Sequence, residues 1–568
     1  MATDSSTQTN GAGPVKEKLF GRKFYESIGS PKYVIAPMVD QSELAWRLLT
    51  KKMTPQLPGS PPILAYTPMY HSKVFGEVPA YRRDTFPCPP HKDFPLGAAE
   101  HDRPLFVQFC SNEPDDLLRA AQTVAPYCDA VDLNLGCPQG IARKGRYGSY
   151  LQEEWDLIYK MINKLHLNLS IPVTAKIRIL ESKERTLEYA KMVLSAGASI
   201  LTVHGRTRDQ KGHNTGLADW QYIRYLRDNL PPETVLFANG NILWQEDVEA
   251  CFAATGVDAV MSAECNLYNP TGVFAPVSAP WSQRFPRMDI VGRQYLDLIR
   301  THILPPLIAK EEKLIEENET KKVVELTDES IKAIKSHFFK LFHSLLYHHS
   351  EIRAVLGKSR ARAENLLEGK DPLQDFEDVL SMVTAGVKAE LEKNPEQVDE
   401  NGEWVGPDFV PPPEVVLKAE EMDAKQKKKE GMLLPSGLVR KVPWYRCQPY
   451  YRPLPEEALR KGALQEKMSR QEKKAVKKAK VEGEKTVVEK IVEMEKKAEQ
   501  AVESAVEKAV EAVSGGRKVE PKRKAEESVE VSVGEGEDKK RIKLVQEDFK
   551  EGERQEREDR EKAETACG

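Results

Sequence analysis

Ala130-Val131-Asp132-Leu133-Asn134-Leu135-Gly136-Cys137-Pro138 reads as a buried strand that runs straight into a glycine, a lone cysteine and a proline. The near-continuous apolar run fits a parallel strand covered on both faces, and the Gly-Cys-Pro that ends it puts a thiol at the rim of a fold instead of in its core. A thiol held against a reacting group can donate a proton at neutral pH, since its unperturbed pKa is about 8.5. Cys137 is therefore a candidate general acid. The plainer reading of one cysteine is a small buried hydrophobe, so the rest of the rim has to decide.

Working outward, short runs rich in β-branched residues recur at 33–39, 63–69, 104–110, 130–136, 173–179, 199–205, 234–240 and 259–264. Longer amphipathic stretches separate several of them. After the third run, Glu113-Pro114 gives a helix start and Asp115, Leu117, Leu118, Ala121 and Val124 follow at helical spacing. Strand-helix units repeated over about 250 residues predict an α/β fold, a (β/α)8 TIM barrel over 30–290. An open doubly wound sheet is the alternative.

With 568 residues, 30% of them charged and 40% hydrophobic, the chain is too long and too charged for one compact domain. Residues 1–29 read as a disordered arm. From 291 to 392 a helical-bundle pattern (Tyr295, Leu296, Ile299, then Ile334, Phe338, Leu341, Leu345) carries Lys335, His337, Arg360 and Arg362, either as a solvated basic face or as an RNA-contacting one. Residues 393–460 read as a linker whose Trp444-Tyr445 aromatic cluster docks on a globular surface. The last stretch, 461–568, reads as a charged tail, helical or largely disordered.

The net charge of -4 leaves any nucleic-acid affinity to local basic clusters. Eight cysteines without a C-x-x-C pair argue against disulfide and zinc frameworks, so no metal is expected. No apolar run follows a basic start and none is long enough to span a bilayer, so no membrane is expected. Basic runs at 521–524 and 539–543 resemble nuclear-localisation signals, which makes the expected location cytoplasmic, nuclear or both.

In a barrel the working face is the set of strand C-termini. There the sequence places Pro37, Met38 and Val39, then Gln108, Asn134 and Cys137, Lys176 and Arg178, His204 and Arg206, Asn239, Gly240 and Asn241, and Ala263 and Glu264. A lysine inside a strand needs a negative partner, Gln108 can donate and accept at the edge of a heterocycle, and Gly240 permits close backbone approach near the usual phosphate position. Together these look like a flavin mononucleotide (FMN) site. His204 taken alone has an equally good reading as a satisfied structural histidine.

The motifs Ala36-Pro37-Met38-Val39, Asp132-Leu133-Asn134-Leu135-Gly136-Cys137-Pro138-Gln139, Gly148-Ser149-Tyr150-Leu151, Lys176-Ile177-Arg178, His204-Gly205-Arg206-Thr207 and Ala238-Asn239-Gly240-Asn241 resemble, in this order, the tRNA-dihydrouridine synthases. Gly145-Arg146-Tyr147-Gly148-Ser149-Tyr150-Leu151-Gln152 and Ser262-Ala263-Glu264-Cys265-Asn266-Leu267 are most similar to the eukaryotic branch that modifies uridines 16 and 17 of the D-loop. The resemblance spans about Tyr33 to Leu391. It implies an FMN enzyme, reduced by NADPH or NADH, that saturates the 5,6 double bond of uridine in tRNA, with Cys137 as the proton donor.

By position, the resemblance implies flavin contacts from Pro37, Met38, Val39, Gln108, Lys176, His204, Asn239, Gly240, Asn241, Ala263 and Glu264. The tRNA is expected to meet Asn134, Arg143, Lys144, Arg146, Arg178, Arg206, Lys335, His337, Arg360 and Arg362, and the protein to be a monomer. Many barrel flavoproteins have Gly-Arg at the eighth strand where this chain has Ala263-Glu264, so phosphate binding there is expected to rest on backbone groups. Arg143, Lys144 and Arg146, close to Cys137 in sequence, are expected to favour partial thiolate character. Two competing readings are an FMN barrel acting on a free pyrimidine and an RNA-binding protein whose catalysis has lapsed.

Overall fold

The computed structural model describes residues 18–86, 102–308, 326–367, 369–399 and 442–450. The sheet runs through β1 (Tyr33–Ile35), β2 (Leu64–Tyr66), the two-residue β3 (Tyr70–His71), β4 (Leu105–Cys110), β5 (Ala130–Leu135), β6 (Val173–Arg178), β7 (Ala198–His204), β8 (Val235–Asn239) and β9 (Ala259–Ser262). All pairings are parallel. Because β1 pairs with both β2 and β9 while β2 pairs with β4, the strands other than β3 close into an eight-stranded barrel. The apolar runs become strands because both faces are covered: Val131, Leu133 and Leu135 pack outward under the helices, while Ala130 faces the barrel interior. The helix expected after the third run is Pro114–Val124, with Pro114 in its first turn and the Glu113 carboxylate accepting from the Asp115 N–H.

The expectation of a disordered arm over 1–29 fails for its last part. Helix α1 (Gly21–Ser27) pushes Phe24 and Tyr25 into the barrel interior against Val34, Tyr66, Phe106 and Phe237. Its anchors lie at the strand N-termini. The Gly21 N–H donates to Ser199 Oγ (2.7 Å), and the Tyr25 hydroxyl to the carbonyls of Pro31 (3.1 Å) and Asp258 (3.0 Å). Two buried aromatics, at about 1.5–3 kcal/mol each, are enough to order so short a helix. The plug closes the floor of the barrel and leaves the opposite mouth open.

Beyond the barrel, helices Met288–His302, Glu329–Leu341, His343–His348, Ser350–Lys358 and Gln374–Lys393 share a second apolar core. That core includes Ala45, Trp46 and Leu49 of α2 (Leu44–Met53), the helix after β1, so the helical unit packs directly on the barrel. Residues 442–450 complete it. Tyr445 and Cys447 are buried there, the Met288 N–H donates to the Tyr445 carbonyl (3.2 Å) and the Cys447 N–H to the Pro286 carbonyl (2.9 Å). No helix among the described residues is long and apolar enough to cross a membrane. Of the expected linker over 393–460, residues 400–441 and 451–460 lie outside the described residues, as do the charged tail and the basic runs at 521–524 and 539–543.

Candidate active site

Strand register assembles the mouth. Gln108 aligns with Asp132, Asn134 with Lys176, Arg178 with His204, and His204 with Asn239, so polar residues from β4 to β8 meet at one level. The Cys137 loop leaves β5 at this level. Asn134 Oδ1 accepts from the N–H groups of Gly136 (3.0 Å) and Cys137 (2.8 Å), and the Cys137 carbonyl accepts from the Ser149 N–H (3.1 Å) and hydroxyl (2.9 Å). Gly148 makes that contact possible. At φ +64° it sits so close that a Cβ would fall 2.8 Å from the Cys137 carbonyl oxygen.

Cys137 is half-buried, whereas Cys110, Cys128, Cys251, Cys265 and Cys447 are buried. Burial pushes its thiol above the ordinary range, and the Gln139 N–H, Arg178, Lys176 and Lys211 offset this only in part. The group is therefore a protonated thiol at neutral pH. The expected partial thiolate is corrected: Arg143, Lys144 and Arg146 are exposed, and Arg146 pairs with Glu154 (3.3 Å), while the cations that act on the sulfur come from β6 and the loop after β7. Nearness in sequence is not nearness in space here.

Across the mouth, Lys176 Nζ donates to Asn239 Oδ1 (3.0 Å), and Asn239 Nδ2 donates to the Met261 carbonyl (3.1 Å). Burial lowers the Lys176 pKa to about 8, with Arg178 adding to the effect. Arg178 donates to the carbonyls of Gly136 (2.8 Å), Thr207 (2.8 Å) and Gln210 (3.2 Å), and burial with Arg206 nearby lowers its pKa to about 10. Neither Lys176 nor Arg178 forms an ion pair among the described residues. The hydrogen-bond partner of the strand lysine is thus a neutral amide, and even with the Asp132 carboxylate also acting on Lys176 the mouth keeps an excess of positive charge.

His204 lies within this field. Burial, then Lys176, Arg178 and Arg206, push it well below its ordinary pKa, so its ring is neutral. Its Nε2 accepts from Arg206 Nη1 (3.0 Å), which leaves the ring proton on Nδ1. Arg206 also reaches Asn241 Oδ1 (3.0 Å) and the Gly216 carbonyl (2.9 Å), placing a guanidinium at the end of β8. Gly240, at φ +115°, packs so tightly on Ala218 that a Cβ would approach it to 2.6 Å.

Pro37 and Met38 are half-buried beyond β1 and Val39 is 53% exposed; Ala263 and Glu264 are half-buried beyond β9. Two expectations change. Gln108 is fully buried, donating through Nε2 to Asp132 Oδ2 (2.8 Å) and accepting at Oε1 from Asn134 Nδ2 (2.8 Å), so it holds the site together instead of meeting a ring edge. His337 is fully buried, stacked on Trp46 (centroids 3.7 Å, planes at 8°) with Nε2 3.0 Å from Glu43 Oε2, which removes it from any RNA-facing surface. Its spacing gave the signal: His337 lies on the apolar stripe of Ile334, Phe338 and Leu341.

Lys335 is half-buried and donates to the Gly357 carbonyl (3.2 Å); Arg360 pairs with Glu364 (3.2 Å) and Arg362 with Asp375 (2.6 Å). The sequence reading missed Asp132 and Thr174, although the strand period of two puts Asp132 on the same face as Asn134. It also missed Lys211, which donates to the Pro138 carbonyl (2.9 Å) beside Cys137.

A sequence profile of the family described as dihydrouridine synthase (Dus) matches residues 34–393. A tRNA-dihydrouridine(16/17) synthase [NAD(P)(+)] of Schizosaccharomyces pombe is 47% identical over 438 residues, 77% of this chain and 92% of its own length. The protein of that name from Saccharomyces cerevisiae is 45% identical over 77% of this chain and 88% of its own length. A rat protein named as a "-like" member of the same group is 42% identical over 60% and 67%. The matched span contains the whole barrel mouth and most of the helical unit packed on it, and the chain belongs to the dihydrouridine synthase family of oxidoreductases.

Proposed function

We propose that this protein reduces the 5,6 double bond of uridine in the D-loop of tRNA, at positions 16 and 17, with FMN as resident cofactor and NADPH or NADH as reductant. The observation that carries this reading is a protonated thiol and a cationic cluster without an ion pair at one open barrel mouth. FMN suits that donor set: Lys176 and Arg178 have only neutral partners, and a phosphate or an electron-rich ring would supply the missing negative charge. Lys176, Asn239, Arg206 and Asn241 would hold it. Arg206 then provides the guanidinium that Ala263-Glu264 does not.

When bound, reduced FMN supplies a hydride to C6 of the uracil. The rest of the chemistry belongs to this chain. Cys137 donates its proton to C5, and its raised pKa keeps that proton in place at neutral pH. The neutral His204 ring adds no further charge to the mouth. Lys211 and Arg178 stay within reach to stabilise the thiolate left behind, both being among the groups that lower the Cys137 pKa.

A base in a structured loop must leave its stack, at a cost of a few kcal/mol, so phosphate contacts beyond the pocket are needed. Lys332, Arg353 and Lys358 are exposed on the helical unit and form no ion pair among the described residues, which leaves them available. The test is to give the purified holoenzyme and NADPH unmodified tRNA, the same tRNA with both uridines replaced by cytidine, and free uridine. Dihydrouridine at 16 and 17 of the first substrate alone supports the proposal. Comparable turnover of the nucleoside overturns it in favour of a small-pyrimidine reductase.

A further inference from the structure

Behind the Cys137 loop lies a line of buried polar groups whose hydrogen bonds have a fixed sense. Asp132, Gln108 and Thr174 are fully buried and Asn134 is 8% exposed. Thr174 donates to Asp132 Oδ1 (2.6 Å), Gln108 Nε2 to Asp132 Oδ2 (2.8 Å), Asn134 Nδ2 to Gln108 Oε1 (2.8 Å), and the N–H groups of Gly136 and Cys137 to Asn134 Oδ1. One end of the line is a carboxylate, which only accepts. The other end is a pair of peptide N–H groups, which only donate.

Between such ends the two amides have one orientation. Turning either over would set oxygen against oxygen or N–H against N–H, at about 1–3 kcal/mol for each unmatched buried group. The geometry points to Asp132 as a positioning residue for proton transfer, acting through Gln108 and Asn134 to fix the loop that carries Cys137. This rests on the proposed role of Cys137 as proton donor. Asp132 touches neither the thiol nor the opening; it selects the face that Asn134 turns to the Gly136 and Cys137 N–H groups. A reacting atom displaced by about 1 Å can lose about a hundredfold in rate, so a distant amide orientation is able to matter.

An isosteric set tests it in the holoenzyme: Asn134→Asp, Asp132→Asn, and the double variant. In Asn134→Asp two carboxylates face Gln108, whose one NH2 group can meet only one of them. The double variant reverses the line: Asp at 134 accepts from the loop and from Gln108 Nε2, while Gln108 Oε1 accepts from the new amide at 132. Two readouts are taken. One is the single-turnover rate of dihydrouridine formation, measured apart from KM for tRNA. The other is the pH-independent rate of Cys137 alkylation by iodoacetamide, read on the Cys137 peptide with Cys137→Ser as control.

Asn134→Asp is expected to lower single turnover by about tenfold or more, the equivalent of about 1.4 kcal/mol, with KM within about twofold. The double variant should recover much of the loss, and the alkylation rate should move away from and then back toward the wild-type value. Recovery in alkylation supports the positioning role, because a merely space-filling role gives no rescue between isosteric changes. A double variant whose alkylation stays with Asn134→Asp overturns it. Should wild-type enzyme leave tRNA unreduced, the proposed function falls, and alkylation still decides the relay.

Discussion

The barrel mouth and the junction between α2 and the helical unit both bury charge, and they treat it in opposite ways. At the junction Arg47, Lys51 and Glu43 each meet a partner of complementary character, whereas burial, Asp328 and Glu43 push the Glu329 carboxyl up to about 9 and its Oε2 has no partner. Arg47 donates to Asp102 through Nε (3.0 Å) and Nη2 (2.6 Å) and to the Ser42 carbonyl (2.6 Å), and Lys51 reaches the same carboxylate (3.3 Å). Glu43 accepts from the Tyr295 hydroxyl (2.7 Å) and pairs with His337. At the mouth, Lys176 and Arg178 have only amide and carbonyl oxygens for partners. The Arg47–Asp102 pair belongs to the scaffold, whereas the proposed function makes the cations without an ion pair at the mouth the place for an anionic ligand.

Removing the thiol tests the mouth most severely. Cys137→Ala should cut dihydrouridine formation by about 10²–10⁴-fold, the usual contribution of general acid catalysis. Flavin content and tRNA affinity should stay near wild type, since the Cys137 backbone makes the loop's hydrogen bonds. Flavin absorbance of the purified variant and a tRNA gel shift check both. A variant that also lost flavin would mean that the sulfur holds the cofactor site together, and the division between mouth and scaffold would blur.

The junction gives the opposite outcome. Arg47→Met leaves Asp102 buried with only Lys51 against it, which should cost less stability than the roughly 3–5 kcal/mol of a wholly unpaired buried charge. Urea unfolding measures it. Turnover per folded molecule should change little below the transition, because Arg47 reaches the mouth only through the Ser42 carbonyl, the Ser42 hydroxyl in turn accepting from the Met38 N–H (3.0 Å). A lower kcat at full folding would show that the helical unit transmits to the site.

Sequence made the barrel readable for a physical reason. A parallel strand buried on both faces must be apolar throughout, so the runs at 130–136 and 199–205 stand out without any knowledge of their neighbours. The polar strand ends were readable for the same reason, because a lysine or asparagine inside such a run calls for an explanation. The partners of those residues were not readable. Gln108 reads as a ring-edge donor until the fold shows both ends of its amide engaged, and His337 reads as basic surface until Glu43 arrives from 294 residues away. Helix α1 left no periodic trace: only the shape of the barrel floor makes Phe24 and Tyr25 its plug.

The unmatched lysine should weaken cofactor binding when removed, by a smaller step. Lys176→Met deletes one charged hydrogen-bond donor, worth about 1.5–3 kcal/mol, so the affinity of the stripped protein for FMN should fall by about ten- to a hundredfold. Equilibrium titration of flavin fluorescence reads this without turnover. An unchanged affinity would mean that the charge at the mouth serves tRNA and not the flavin.

The finest distinction is in pH. Burial lowers Lys176 to about 8, so its ammonium is the form lost as pH rises through that value; an anionic ligand favours the charged form, and its affinity should be greatest below about pH 8 and decline above it. The neighbours do not mimic this step. Arg178 titrates at about 10, His204 is neutral well before pH 7, Asp132 is pushed up to only about 6, and the Cys137 thiol is raised, so its ionisation adds repulsion later than an ordinary cysteine would. FMN affinity measured from pH 7 to 9.5 should therefore weaken by less than about tenfold per pH unit in wild type, the limit for loss of one proton. The curve should be flatter in Lys176→Met. At the junction, Lys51 is also lowered to about 8, but its partner is a buried carboxylate of the protein itself. Its deprotonation should appear in urea stability and leave flavin affinity alone, so two lysines of similar pKa would report on different properties because one forms an ion pair within the protein and the other does not.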